Sequence, residues 1–511
     1  MMQRLSRSLL RQGFVPQSPV AVGVLAELPE KIVQFGEGAF LRAFVDWMVD
    51  VANEKGLLGG SIVVVPPVRE EMAHGLNRQD GLYTVLLRGM QNGQVVESRR
   101  IVTAVRRAVQ PCRQWDVLAD CFRNPAVRFV VSNTTEAGIV YAEEPYRPGV
   151  CPQSFPARVA ALLFERFRAV QGDPEKGLIF LPCELIDRNG DTLKRFALRH
   201  AEAWNLGPDF QRWIGQHNHF LNTLVDRIVS GYPRDDATRL AGELGYEDEL
   251  LDAGELFHSW VIEGPARLAD EWPLDKAGLN VLWTGDLTPY RTRKVRILNG
   301  AHTAGALIAF QAGLNTVHEM MLDPLLGAFV RKAVLEEILP GVPLGERERR
   351  DYAEAVFERF GNPFLKHALL SIALNSVSKW KTRVLPSLVD FLEARGRPPQ
   401  ALTFSLAALI HFYRGQRDAT MELWGRRGSS PYPLRDDPAV LDFFAKSWAA
   451  HRRDRNTHDL ANSVLANRGF WDADLSAVPG LTQSVAAALD AILELGARDA
   501  VKIVLRENPN D

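Results

Sequence analysis

Lys31-Ile-Val-Gln-Phe35-Gly36-Glu37-Gly38-Ala39-Phe40-Leu41 joins a β-rich run to a helical pattern through two glycines. Lys31 to Phe35 reads as a strand, and the apolar periodicity from Phe40 to Glu54 reads as a helix. A strand that opens a helix through Gly-x-Gly is the setting of a dinucleotide-phosphate turn. There the first glycine permits the tight turn, and the second lets a pyrophosphate approach the helix N-terminus, whose dipole favours anions. The third glycine of that fingerprint is replaced by Leu41. Taken alone, the pattern equally describes a plain strand-to-helix turn.

Working outward, Ser61-Ile-Val-Val-Val65, Val127-Arg-Phe-Val-Val-Ser132 and Gly177-Leu-Ile-Phe-Leu181 are further short apolar runs set between helical patterns. Strands that alternate with helices imply a parallel sheet with right-handed crossovers. Tyr83 to Arg88 and Val95 to Val102 flank Asn92-Gly93 and predict an inserted hairpin. Beyond about residue 290 long helical periodicity takes over, over Thr316 to Glu337, Arg347 to Phe360, Pro399 to Arg414 and Leu481 to Leu505. The expected fold is therefore an α/β, Rossmann-like N-terminal domain with a mainly parallel sheet over residues 1–290. An all-α C-terminal domain over residues 291–511 follows it.

Composition sets the frame for function. The chain has 511 residues, 46% of them hydrophobic and 24% charged, and a formal net charge of -2. Such a chain can bury a large core, and its charge makes no electrostatic case for nucleic acid. No apolar run reaches the 18 residues of a membrane-spanning helix. Cys112, Cys121, Cys151 and Cys183 show neither CxxC spacing nor the density of a disulfide scaffold, so a reducing, cytoplasmic setting and no zinc site are expected. Residues 1–26 carry Arg4, Arg7 and Arg11 and no acidic residue before Glu27. That composition suits either a transit segment or a basic helix lying on the domain surface.

Tyr290-Arg-Thr-Arg-Lys294-Val-Arg-Ile-Leu-Asn299-Gly-Ala-His302-Thr carries the chemistry. On a helix turning roughly 100° per residue, Asn299 falls near 140° and His302 near 80° from Lys294, so the three share one broad face. A cation, an amide donor and a titratable ring converging on one oxygen suit the interconversion of a carbonyl and an alkoxide. The alternative is a solvated basic helix start with a core histidine. The segment opens the second domain, and clefts between domains favour small-molecule sites. Ser132, Asn133 and Thr134 follow an apparent central strand, where cofactor contacts are expected. After the second strand, Arg69 suits a ribose 2'-phosphate and Glu70 a ribose hydroxyl, and the choice stays open.

These pieces together resemble the mannitol dehydrogenase family of polyol-specific long-chain dehydrogenases. The likeness rests on Gly36, Gly38 and Phe40, on Lys294, Asn299 and His302, and on longer strings. Those strings are Gln34 to Phe44, Ser132 to Gly138, Leu181 to Gly190, and Leu374 to Arg383. The resemblance implies NAD held by Phe35, Gly36, Gly38, Ala39, Phe40, Ser132, Asn133 and Thr134. It further implies interconversion of a hexuronate and its aldonate, with Lys294 as general acid or base, Asn299 polarising the reacting oxygen and His302 orienting the substrate. An exposed lysine titrates near ~10.4, so burial and the neighbouring Arg293 and Arg296 are expected to lower Lys294.

One departure concerns Cys183-Glu184-Leu185, which stands where mannitol-type members carry Cys-Asp-Asn with a second oxyanion donor. Aligned on Asn189-Gly190, the donor position holds Leu185. Either Asn299 acts with His302 alone, or Glu184 or Asn189 takes a changed role. Glu184, Asn189 and Asp226 are thus candidate substrate contacts, with Asp226 alternatively a structural partner near Arg227. The substrate carboxylate calls for cations, and Lys379, Lys381 and Arg383 supply three. A neutral-polyol or different hexuronate dehydrogenase is the alternative enzyme, and a non-catalytic nucleotide-binding relative is the alternative outside enzymes. A monomer or small homo-oligomer acting on a small molecule is expected.

Overall fold

The computed structural model describes residues 2–66, 70–134 and 138–506, so Arg69 and the side chain of Glu70 lie outside the described residues. The chain divides into two compact units, residues 1–89 with 95–287, and residues 90–94 with 288–511.

In the first unit, β1 (Glu30–Phe35) leads through the glycine turn into α1, residues 39–54, which is α-helical over Ala39–Leu41 and Trp47–Glu54 with a π turn, Arg42–Asp46, between. The chain continues through β2 (Ser61–Val65), β3 (Tyr83–Gln91), β4 (Gln94–Val102) and β5 (Val105–Ala108), then α2 (Trp115–Arg123), β6 (Phe129–Ser132) and α3 (Phe155–Ala169). It goes on to β7 (Ile179–Pro182), α4 (Asn189–Ala203), β8 (His219–Phe220) and β9 (Asn222–Asp226). Six strands form one sheet in the order β8-β7-β6-β1-β2-β5, every pair parallel. Counted along the chain this is the 3-2-1-4-5-6 order of dinucleotide-binding folds, and the topological switch falls between β1 and β6. Alternate residues of the central strands enter opposite cores. Ile32, Ile62 and Val64 pack with Phe44 and Trp260 on one face, and Val33, Phe35, Val63 and Val65 with Phe122 and Trp213 on the other. Burial on both faces is why these strands read as unbroken apolar runs.

The hairpin β3–β4 belongs to a second, five-stranded sheet, and Asn92 (φ 53) and Gly93 (φ 74) supply the two positive dihedrals of its tight turn. The basic N-terminal stretch is built into this unit. Leu5, Leu9 and Leu10 are buried with Leu82 and Tyr246, and the Arg7 guanidinium donates to the Thr103 carbonyl at 2.8 Å.

The second unit is helical. Its long helix α5, residues 288–311, comprises Thr288–Arg293, a π turn Lys294–Asn299, and Gly300–Gln311. Residues Gly300 to Phe310 are all buried, so this last segment runs through the core with no solvent face. Further along lie α6 (Glu346–Phe360), α7 (Ser376–Arg383) and α8 (Gln400–Phe412). The expected helix over Thr316 to Glu337 is broken, because Asp323 caps a new helix whose first residue is Pro324. That over Leu481 to Leu505 breaks at Gly496, φ 78. A three-stranded antiparallel sheet, with strands Gly415–Arg417, Leu423–Arg427 and Ser430–Pro433, was not foreseen among the helices. Among the described residues no helix is long and apolar enough to cross a membrane.

Candidate active site

The glycine turn sits at the carboxyl end of β1, beside the end of β6, with Phe35 in register with Ser132. Gly36 adopts φ 126, and a Cβ there would stand 2.9 Å from both the Asn133 carbonyl oxygen and the Leu41 side chain, so glycine is required by sterics and by dihedral alike. Leu41, at the absent third glycine, is buried in the core. Gly38 differs. Its φ is -61, it is the N-cap of α1 without a side-chain cap, and its Cβ would meet nothing within 4 Å. The protein itself makes no demand for glycine at this position. An uncapped helix start with open space above a glycine is the cradle that a pyrophosphate fills, so Gly38, Ala39 and Phe40 fit a dinucleotide. Phe35 takes a different part, because its ring is buried against Phe155 at 5.0 Å.

At the end of β6 the Ser132 hydroxyl turns inward. It donates to one Glu184 oxygen at 3.0 Å, and the Thr134 N–H and hydroxyl donate to the other at 2.9 and 3.0 Å. Glu184 therefore ties β6 to the end of β7, and burial pushes its carboxyl upward against the pull of these donors. Asn189 is still more fully engaged. Its Nδ2 donates to the carbonyls of Pro182, Glu184 and Thr223, and its Oδ1 accepts from the N–H groups of Gly190 and Thr223. The expectation that either contacts substrate is corrected here, because the polar atoms of both are held by neighbouring chain. Leu185, 64% exposed, offers no donor. Asp226 is buried at the end of β9, opposite Ser259. Arg227 lies over Trp47 at 4.4 Å and donates to the carbonyls of Ala43, Leu256 and Phe257.

In the second unit the π turn changes the geometry of the lysine segment. The Gly300 N–H reaches the carbonyls of both Ile297 and Val295, and a π hydrogen bond spans five residues. Lys294 and Asn299 are five apart, so the wider π turn brings them closer to one face than the roughly 140° that separates such residues on an α-helix. Both are half-buried. His302 is buried, its ring stacked on Phe360 at 4.1 Å and met edge-on by His367 at 5.0 Å. No motif in the chain signals Phe360 or His367, which approach only through tertiary packing.

The two arginines expected to depress Lys294 are otherwise employed. Arg293 pairs with Glu348 at 2.9 Å and lies over Tyr352, while Arg296 pairs with Asp390. The three cations of α7 also part company. Arg383 approaches the Thr303 hydroxyl at 3.5 Å, one residue from His302. Lys379, one helical turn earlier, lies near enough to help burial hold His367 below its usual range. Burial, reinforced by Arg383, lowers Lys379 itself, and burial lowers Arg383. Lys381 projects away and pairs with Asp472 at 2.6 Å. The structure thus brings Lys379 and Arg383 to the neighbourhood of His302, on the helix that also carries Lys294 and Asn299, and pairs Lys381 with Asp472 instead.

Comparison with known proteins agrees with this architecture. The mannitol dehydrogenase Rossmann domain matches residues 30–276, and the mannitol dehydrogenase C-terminal domain matches residues 286–493. The chain belongs to the mannitol dehydrogenase family. Altronate oxidoreductase of Shigella flexneri is 48% identical over 479 residues, covering 93% of this chain and 97% of that protein. The altronate oxidoreductase of Escherichia coli O139:H28 matches to the same extent. Among solved structures, Pseudomonas fluorescens mannitol 2-dehydrogenase, in a ternary complex with NAD and D-mannitol, is 22% identical with a TM-score of 0.69, covering 99% of this chain and 100% of that one. A substrate-free D-sorbitol dehydrogenase gives 0.79 at 22% identity, covering 98% and 100%.

Proposed function

We infer that this chain is an NAD-dependent altronate oxidoreductase that interconverts D-tagaturonate and D-altronate. The observation that carries the reading is the 48% identity to altronate oxidoreductases across 93% of the chain. NAD, when bound at the Gly36–Phe40 cradle, supplies the hydride acceptor or, reduced, the donor. Lys294 gives its proton to the ketone oxygen during reduction and takes it back during oxidation. The Asn299 amide, turned toward the Lys294 face by the π turn, donates to the same oxygen as negative charge grows on it. With Leu185 apolar and Asn189 engaged, Asn299 and His302 carry that stabilisation without the second amide of mannitol-type members. His302, held between Phe360 and His367, orients the substrate, and Arg383 with Lys379 receives its carboxylate. The same reading places the enzyme in the cytoplasm as a monomer or small homo-oligomer.

The test is NADH oxidation by the purified protein with D-tagaturonate, D-fructuronate and D-fructose as competing acceptors. Tagaturonate is expected to give the highest kcat/KM. A higher value for either other sugar would assign the chain to a different member of the family, and no turnover with any of them would remove the enzymatic reading.

A further inference from the structure

Two of the four cysteines, Cys121 and Cys183, are buried in the cores of the first unit. The other two, Cys112 and Cys151, are exposed and half-buried, and although 39 residues apart their Sγ atoms lie 2.9 Å from each other. Fold topology brings them together. Cys112 stands in the turn between β5 and α2, and Cys151 stands just ahead of α3. Helices α2 and α3 pack side by side, and Trp115 and Phe155, their first residues, are buried in the same core. Both helices follow parallel strands, so both starts, and both thiols, emerge at the carboxyl edge of the sheet. Arg158, in the first turn of α3, fixes the Cys151 loop by donating to the Pro152 carbonyl at 2.8 Å, and its other arm lies 3.9 Å from the Cys112 sulfur.

A disulfide needs a sulfur separation of about 2.05 Å, so closure asks less than about 1 Å of further approach from loops that precede fixed helices. We propose that Cys112 and Cys151 form a dithiol that hydrogen peroxide oxidises to an intramolecular disulfide. Exposed Cys112, beside the Arg158 cation, reacts first. Its thiolate attacks one peroxide oxygen, the O–O bond breaks, the sulfur becomes a sulfenic acid, and the departing hydroxide leaves as water after taking a proton. The Cys151 sulfur then attacks the Cys112 sulfur, the S–S bond forms, the S–O bond breaks, and the hydroxide released takes the Cys151 proton as a second water. One peroxide and two thiols thus give one disulfide and two waters, and a dithiol reductant reverses the product. Burial, and the hydrogen bond shared with Cys112, push the Cys151 thiol up to about 12, which suits the resolving partner rather than the first nucleophile.

The test uses the full-length reduced protein, treated with hydrogen peroxide and followed by intact mass, alkylation and non-reducing peptide mapping. The expected result is a loss of about 2 Da, a cross-linked peptide pair containing Cys112 and Cys151, and recovery of both thiols with dithiothreitol. Cys112→Ser and Cys151→Ser should each abolish the cross-link, and Cys151→Ser should leave a dimedone-reactive sulfenic acid on Cys112. Should both thiols of the wild-type protein stay open to alkylation after peroxide, or should the cross-link join two molecules, the proposal is overturned. Oxidation of Cys112 straight to the sulfinic acid without a disulfide would overturn it equally.

Discussion

Both units interrupt a key helix with a π turn, and the two turns are put to opposite ends. In the first, Arg42–Asp46, every residue is buried. Asp46 accepts the Tyr83 hydroxyl at 2.6 Å, and Arg42 lies 3.6 Å from Asp252, so the turn directs polar groups into an internal network behind the glycine cradle. In the second, Lys294–Asn299, only Ile297 and Leu298 are buried, while Lys294 and Asn299 remain half-buried on one side. Both segments are π-helical. What separates framework from site is where the polar side chains are directed, and that is decided by the residues packed around each turn.

The largest effect is expected at Lys294. Lys294→Ala is expected to lower kcat for tagaturonate by ~10²–10⁴-fold, the usual contribution of a general acid or base. NADH affinity, measured by fluorescence titration, and the melting temperature should hardly move. Turnover near the wild-type rate would take Lys294 out of the mechanism. Next in size is the carboxylate. Arg383→Ala or Lys379→Ala should reduce the tagaturonate-to-fructose ratio of kcat/KM by ~30-fold, about 2 kcal/mol. Lys381→Ala, whose lysine already pairs with Asp472, should leave that ratio unchanged. If all three behave alike, α7 does not hold the carboxylate.

A smaller effect is expected at the cradle. Gly38→Val places its side chain in space that no protein atom occupies, so the fold should melt normally while NADH binds at least ~10-fold more weakly, about 1.4 kcal/mol. Gly36→Ala should instead lower the melting temperature, because its Cβ meets the Asn133 carbonyl. An unchanged NADH dissociation constant in Gly38→Val would place the phosphates elsewhere.

The smallest effect concerns the inward network. Burial raises the Asp46 carboxyl to about 7 from an ordinary 3.8, against the hydrogen bond from Tyr83 and the charge of Arg42, and Asp252 is raised to about 7 in the same way. A raised folded-state pKa means that the folded protein binds the proton more tightly than the unfolded chain. The associated stability is complete below about pH 4 and is lost as the pH rises through about 7. Asp46→Asn keeps an acceptor for Tyr83 and has no proton to lose. Its melting temperature should therefore fall less between pH 5 and pH 8 than that of the wild type, by roughly 2–4 °C. An identical fall in both proteins would show that Asp46 does not titrate in this range.

Much of this was legible in the chain, for physical reasons. The parallel strands announce themselves because burial on both faces demands unbroken Val, Ile and Phe. The Gly36 turn and the hairpin at Asn92-Gly93 were readable because few residues tolerate their dihedrals. The helix breaks at Asp323-Pro324 and Gly496 were equally available as stop signals, and long apolar periodicity masked them. The π turn at Lys294–Asn299 could not be read, since a fixed 100° per residue assumes the α form. Nor could the fates of Glu184, Lys381, Arg293 and Arg296, because the groups that engage them, Thr134, Asp472, Glu348 and Asp390, are brought near only by the fold. The meeting of Cys112 and Cys151 is hidden for the same reason.

The side-chain amide of Asn189 has a consequence for anyone wishing to redirect this scaffold to another sugar. It bonds at once to the end of β7, to the start of its own helix and to β9, and a Cβ on the adjoining Gly190 would stand 2.4 Å from the Leu221 carbonyl oxygen. A library that varied Asn189 and Gly190 in search of new selectivity would mostly yield unfolded protein. Leu185, four residues earlier and 64% exposed, is the position at which that stretch can be rewritten without touching its foundations.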